Sequence, residues 1–274
     1  MTTMVDSIKA RLARNELVLA AAVGRVMHHN IVQMIGMAGG FHALWFDHEH
    51  CGLTIEQLEV GTLAARATGL DTFVRIPPTD YALVTRCLEA GGGGVMAAQI
   101  FSAAQAELFV RWAKFMPRGA RGLNNGGWDA QFGRIPPAEF CQKANRETFV
   151  AIQVETLGAV EECDAIAAID GVDLLFIGPV DLSQSLGVTG EFFHPKCLEA
   201  IDRVAAACAR HGKHWGAVTA NLEHCDLLVS KGCRLISPTN DVRLISAGLQ
   251  AFQSQFAKYV SKWRRNPRSR SAWS

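Results

Sequence analysis

Eight short, almost uninterrupted apolar runs, each followed by a stretch with helical period, constrain this chain more than any other feature. They lie at residues 17–22 (LVLAAA), 43–46 (ALWF), 72–75 (TFVR), 94–98 (GVMAA), 149–154 (FVAIQV), 172–177 (VDLLFI), 215–218 (WGAV) and 234–237 (RLIS). Strands without polar alternation are what a parallel sheet covered on both faces requires. Between them, helical period marks residues 55–67, 82–90, 103–114, 159–168, 195–210, 222–230 and 242–260. Eight strands in 274 residues give about 34 residues per unit, the size of a βα repeat. The expected fold is therefore α/β, a (β/α)8 TIM barrel. An open doubly wound sheet is the rival, but no GxGxxG follows the first strand. The run GGGG at 91–94 precedes a strand and reads as an αβ turn.

The barrel is expected to span residues 1–260 as a single domain, with 261–274 a basic, Ser-rich and poorly ordered tail. The N-terminal segment MTTMVDSIKARLARNE lacks a signal-peptide core and reads as a short helix. No apolar run approaches the length of a membrane span, so no membrane partner is expected. A net charge of +1 gives no electrostatic case for nucleic acid. Eight cysteines without a CxxC pair or zinc-like spacing read as reduced core residues of a cytoplasmic protein. The insertion at 115–137, containing PRGARGLNNGGWDAQFG, is long enough to be a lid or binding loop.

Active sites of parallel barrels lie at the C-terminal ends of the strands. The second run ends in Asp47, His48, Glu49 and His50, and the third in Arg75 before Ile-Pro-Pro. The fifth ends in Gln153 and Glu155, and the sixth continues as FIGPVDLS, with Asp181 just beyond it. Two carboxylates brought close repel unless one is protonated or a cation lies between them. Glu155 and Asp181 thus suggest oxygen ligation of Mg²⁺, Mn²⁺ or Co²⁺; otherwise one caps a helix and the other pairs with a surface base. Arg75 could bind a carboxylate or oxyanion, or pair structurally with Asp47 or Glu49. His50 is the best acid–base candidate, with Asp47 near enough to orient it.

With those residues in view, the chain resembles the HpcH/HpaI family of metal-dependent (class II) pyruvate aldolases from about residue 17 to residue 249. The family's Asp-x-Glu-His is Asp47-His48-Glu49-His50, its V-R-x-P is Val74-Arg75-Ile76-Pro77, and a proline-Arg-Gly-x-Arg-Gly segment spans residues 117–122. Gln153-Val154-Glu155-Thr156 matches Q-x-E-T, and residues 176–187 match FIGPxDLSxxLG. The resemblance implies an aldehyde-lyase that cleaves or forms a 4-hydroxy-2-oxo acid through a pyruvate enolate. It implies metal ligation by Glu155 and Asp181, His50 as base supported by Asp47, and Arg75 at the enolate oxygen. The amides of Val180 and Asp181 would hold the pyruvate carboxylate, within a substrate-binding set of Gln153, Gly178, Pro179, Val180, Asp181 and Leu182. It also implies a homo-oligomer, a hexamer or trimer, whose last helix packs on a neighbouring subunit. His48, Cys51 and the segment LNNGGWDAQFG depart from the family pattern, which leaves the acceptor aldehyde open.

Three other activities compete. A Schiff-base aldolase needs a buried lysine near the mouth; the eight lysines lie in helices, loops or the tail, and Lys213 precedes its strand. A metal-dependent amidohydrolase could use His48 and His50 as a zinc pair but wants histidines at later strand ends. Coenzyme A-ester lyases share the two-acid site. A barrel without enzymatic activity is the remaining alternative.

Overall fold

The computed structural model describes residues 5–259. Its strands are β1 Val18–Val23, β2 Ala43–Asp47, β3 Asp71–Ile76, β4 Gly94–Ala97, β5 Phe149–Val154, β6 Leu174–Ile177, β7 His214–Val218 and β8 Leu235–Asn240. All pair in parallel and in sequence order, and β8 closes on β1. The helices are α1 Ile8–Ala13, α2 His29–Ala38, α3 Ile55–Ala67, α4 Tyr81–Glu89, α5 Ala103–Ala113, α6 Pro137–Glu147, α7 Leu157–Glu161, α8 Cys163–Ala168, α9 Pro179–Ser185, α10 Pro195–Arg210, α11 Leu222–Ser230 and α12 Asp241–Gln255. The expected (β/α)8 barrel is thus the fold. The expected tail at 261–274 lies outside the described residues.

The apolar runs are continuous because alternate residues enter two different cores. Ala20, Ala43, Trp45, Phe73, Met96, Phe149, Ala151, Phe176 and Leu235 fill the barrel interior. Their neighbours Leu44, Phe46, Val74, Val95, Ile152, Leu175, Ile177 and Ile236 face the helices. A period of two with both faces buried is what the pleat imposes. Ile8 and Leu12 of α1 join the interior cluster, so α1 stoppers the strand N-terminal end. The Ile8 N–H donates to Asp71 at 2.8 Å and Lys9 pairs with Asp173 at 2.9 Å, pinning that stopper to β3 and to the start of β6.

The insertion at 115–137 does not lie over the mouth of its own barrel. It follows α5 and leads through α6 into β5, so the topology delivers it to the strand N-terminal end. There Phe115, Ala130, Ile135 and Phe140 form a small core of their own. The Trp128 N–H donates to the Glu89 carbonyl at 3.0 Å, and the Arg66 guanidinium lies 4.1 Å from the Trp128 ring centroid. Within one chain this segment is a buttress and not a lid.

Helix α12 is the least embedded element. Its single buried residue is Asp241, and Val242, Ile245, Leu249 and Phe252 stand exposed along one side. Asp241 itself accepts from the N–H groups of Gly24 and Val26 at 2.9 and 2.7 Å, tying the start of α12 to the loop after β1. No helix among the described residues is long and apolar enough to cross a membrane. All eight cysteines are free thiols, six of them buried.

Candidate active site

Strand register sets the first contact at the mouth. Asp47 and Arg75 are direct partners across the β2–β3 pair, so their side chains emerge on the same face one strand apart. Arg75 donates from Nε to Asp47 at 3.1 Å, its Nη2 lies 2.8 Å from the other carboxylate oxygen, and its Nη1 lies 3.3 Å from Glu49. Burial of Asp47 works to raise its carboxyl. The hydrogen bond and charge of Arg75, with the backbone N–H groups of His50 and Glu49, outweigh burial and hold it below the ordinary range. Asp47 also accepts from the Cys51 thiol at 3.6 Å, and burial followed by this carboxylate pushes that thiol up to about 11. Cys51 is therefore a packing residue and not a nucleophile.

Sequence reasoning expects Asp47 to orient the His50 ring. The structure gives Asp47 a different hold. It accepts from the His50 backbone N–H at 3.2 Å, while the ring lies 3.6 Å from Glu49 and is half exposed. Glu49, read first as a partner for Arg75, thus bridges the arginine and the imidazole. Its carboxyl is raised, by burial first and by Asp47 and Asp181 after the opposing Arg75 and His50 charges.

Glu155 sits across the barrel, fully buried at the end of β5. One carboxylate oxygen accepts from the backbone N–H and side-chain amide of Gln99 at 2.9 and 3.1 Å, and the other from Gln153. Burial raises its carboxyl to about 7, and the Glu49 and Asp181 charges push the same way. Gly178 follows β6 directly beside it, because Val154 and Ile177 are register partners. A Cβ at Gly178 would lie 2.6 Å from the Gln153 amide nitrogen and would collide with Glu155. A side chain there must displace the ends of both of these buried side chains.

Asp181 stands in the first turn of α9 and lines, with Glu155, Gln99 and Ser185, a cavity of about 280 Å³. Pro179 and Leu182 are buried, and the Leu182 N–H bonds the Gly178 carbonyl at 2.9 Å. They support α9 and do not line the mouth. Val180 is exposed and reaches a second cavity of about 440 Å³, shared with Trp45, Asp47, His50 and Arg75. Gln99 is the residue that sequence reasoning misses: it follows β4 with no charged neighbour and has φ +50, a left-handed backbone unusual outside glycine.

The donor set fits a hard divalent cation. Asp181 acts on the buried Glu155 as a like charge, and the buried Gln153 carbonyl oxygen has no hydrogen-bond partner. Oxygen ligands with surplus negative charge are what such an ion satisfies. A histidine-rich zinc site is not assembled: among the described residues no group of three or more His, Cys, Asp or Glu is arranged to hold a metal, and His214 begins β7 at the opposite barrel end. Lys213 donates to the Val172 carbonyl at that same end, away from the mouth.

Comparison with known proteins bears on the family. Residues 27–246 match the family described as HpcH/HpaI aldolase/citrate lyase. The chain is 34% identical over 207 residues to a 4-hydroxy-4-methyl-2-oxoglutarate aldolase of Hapsidospora irregularis, covering 72% of this chain and 74% of that protein. It is 26% identical over 226 residues to a 5-keto-4-deoxy-D-glucarate aldolase of Klebsiella pneumoniae, covering 82% and 87%. Among solved structures, an HpcH/HpaI aldolase from Desulfitobacterium hafniense superposes with a TM-score of 0.81 at 32% identity, covering 92% of this chain and 96% of that one. Fold, strand-end motifs and relatives converge, and the chain belongs to the HpcH/HpaI aldolase/citrate lyase family.

Proposed function

We propose that the chain is a class II aldolase that cleaves or forms a 4-hydroxy-2-oxo acid through a pyruvate enolate. The observation that carries this reading is the buried Glu155 beside Asp181, facing Arg75 across one mouth. Glu155 and Asp181 would hold Mg²⁺, Mn²⁺ or Co²⁺, which when bound supplies Lewis-acid polarisation of the 2-oxo oxygen. Gln99 and Gln153 fix the Glu155 carboxylate through three donated hydrogen bonds.

In the cleavage direction His50 accepts the proton of the 4-hydroxyl. Imidazole is the side chain suited to proton exchange near neutral pH, and the exposure of His50 lets it hand that proton to solvent. The C4–O bond becomes a carbonyl as the C3–C4 bond breaks, and its electron pair moves into the C2–C3 bond and onto the 2-oxo oxygen. Arg75, held by Asp47 and Glu49, supplies a fixed positive charge for that oxygen. Protonation at C3 then gives pyruvate, and the other product is an aldehyde or ketone. The first-turn N–H groups of Val180 and Asp181, which have no partner within α9, suit the pyruvate carboxylate.

We also read α12, with its exposed apolar side, as packing on a second copy of the chain in a hexamer or trimer. The test of the activity needs no acceptor. Metal-stripped protein is mixed with pyruvate in D₂O, and the methyl proton signal is followed with and without Mg²⁺ or Co²⁺. Metal-dependent loss of the signal is expected, abolished in Glu155→Ala and slowed about 10²–10³-fold in Arg75→Ala. Absence of exchange with every cation would overturn the reading.

A further inference from the structure

Two sides of Arg75 are held by carboxylates, and the third by an aromatic face. Its guanidinium carbon lies 4.8 Å from the centroid of the Trp45 ring, within the range of a cation–π contact. An indole can turn about its side-chain torsions, so its face holds a cation in place only if something holds the indole. Here the Trp45 Nε1–H donates to the Ser237 hydroxyl at 2.8 Å, and both residues are buried. Trp45 comes from β2 and Ser237 from β8, the strands on either side of β1. The interior-facing residues of β1 here are Ala20 and Ala22, and Ala22 is the register partner of Trp45. Those methyl groups leave the span across β1 open, and the indole fills it. Phe73 and Phe176 pack on the ring with centroids at 6.4 and 6.5 Å, and Ser237 takes the hydrogen bond of its Nε1–H.

We propose that Trp45 and Ser237 are a positioning pair for Arg75. The hydrogen bond fixes the indole plane, and the indole face fixes the guanidinium where charge develops on the 2-oxo oxygen. Asp47 sets the in-plane direction of the guanidinium, and Trp45 sets its height above the barrel interior. Trp45 and Ser237 also line the cavity beside His50 and Arg75, so KM is read together with kcat. This inference rests on the aldolase reading for the charge that Arg75 meets, but not for the geometry itself.

The test uses Ser237→Ala, Ser237→Thr, Trp45→Phe and the double variant Trp45→Phe/Ser237→Ala in the metal-loaded, full-length protein. One readout is kcat and KM for pyruvate methyl-proton exchange in D₂O. The other, independent of turnover, is the solvent-exchange rate of the Arg75 Nε–H by ¹⁵N NMR, assigned by its loss in Arg75→Lys. Ser237→Ala is expected to lower kcat about five- to tenfold with KM unchanged, and to speed Nε–H exchange by a similar factor. Ser237→Thr, which keeps the hydroxyl, should restore both, and the double variant should be no slower than Trp45→Phe alone. Wild-type kcat and Nε–H exchange in Ser237→Ala would overturn the proposal, as would additive losses in the double variant. If the wild-type protein exchanges no pyruvate protons, the aldolase reading fails, and the Nε–H rates alone decide the positioning pair.

Discussion

Adding one methyl group at Gly178 tests the metal site without touching a charge. The backbone there has φ −93, which any residue adopts, so Gly178→Ala introduces no backbone strain. Its whole effect is steric. The new Cβ would stand 2.6 Å from the Gln153 amide nitrogen and would clash with Glu155, so these side chains must retreat by about 0.8 Å to reach ordinary contact. That displacement breaks the Gln153 hydrogen bond to the Glu155 carboxylate or pulls the carboxylate off its Gln99 donors. A hydrogen bond to a charged group contributes about 1.5–3 kcal/mol, which corresponds to a roughly 10–100-fold loss in cation affinity. Mn²⁺ titration of metal-stripped protein, by calorimetry or by the free-Mn²⁺ electron spin resonance signal, measures this directly. Thermal unfolding of the apo variant measures the overpacking cost separately, expected at about 1–3 kcal/mol. Wild-type Mn²⁺ affinity in folded Gly178→Ala protein would refute the argument that Glu155, in the position Gly178 leaves open for it, holds the ion.

Three further outcomes follow from the same geometry. Because burial raises the Glu155 carboxyl to about 7, it is mostly protonated below that pH in the metal-free protein, and a bound cation must displace its proton. Apparent affinity should rise about tenfold per pH unit below 7 and level off above it, with about one proton released at pH 6 and none at pH 8.5, read by calorimetry in buffers of different ionisation enthalpy; flat affinity from pH 5.5 to 8 would contradict this. His50→Ala should slow aldol cleavage by about 10²–10⁴-fold, yet leave the melting temperature within a degree or so, since the half-exposed ring has one close partner, Glu49 at 3.6 Å. Phe252→Asp places a charge in the exposed apolar side of α12 and should shift the protein to a smaller species in size-exclusion chromatography with light scattering, whereas an unchanged mass would remove α12 from the interface.

The strands were legible because both of their faces are buried, so the apolar signal is uninterrupted; β5 coincides with its expected limits at Phe149–Val154. Helices α3, α10 and α11 also coincide with expectation, opening on a Thr54 capping box, on Pro195 at the first helical position and on an Asn221 cap. Three helices were not foreseen. Helix α2 opens on His28, whose imidazole takes the capping role that Ser or Asp ordinarily plays, and α6 buries only Phe140. Helix α9 is too short for its period to register. The stretch expected as one helix at 159–168 is two, α7 and α8, meeting at Glu162.

At the site, local sequence marks what each strand end carries but not what meets across the mouth. Asp47 and Arg75 were legible as a pair because they are register neighbours. Gln99 has no ionisable group to draw the eye, and its partner is 56 positions away. Trp45 and Ser237 are 192 positions apart. The insertion at 115–137 was misplaced by its length. Its position between a helix and the next strand is the feature that decides which barrel end it serves.

Gln99 carries a consequence for how this protein would respond to laboratory evolution. A left-handed backbone at a residue with a side chain costs about 1–3 kcal/mol, and glycine would relieve most of it. Its side-chain amide is one of the three donors that fix Glu155, and glycine would keep only the backbone N–H of the two that residue 99 supplies. Selection for thermostability alone should therefore favour Gln99→Gly, while selection for turnover should restore glutamine. Position 99 is where heat tolerance and catalysis pull the sequence in opposite directions.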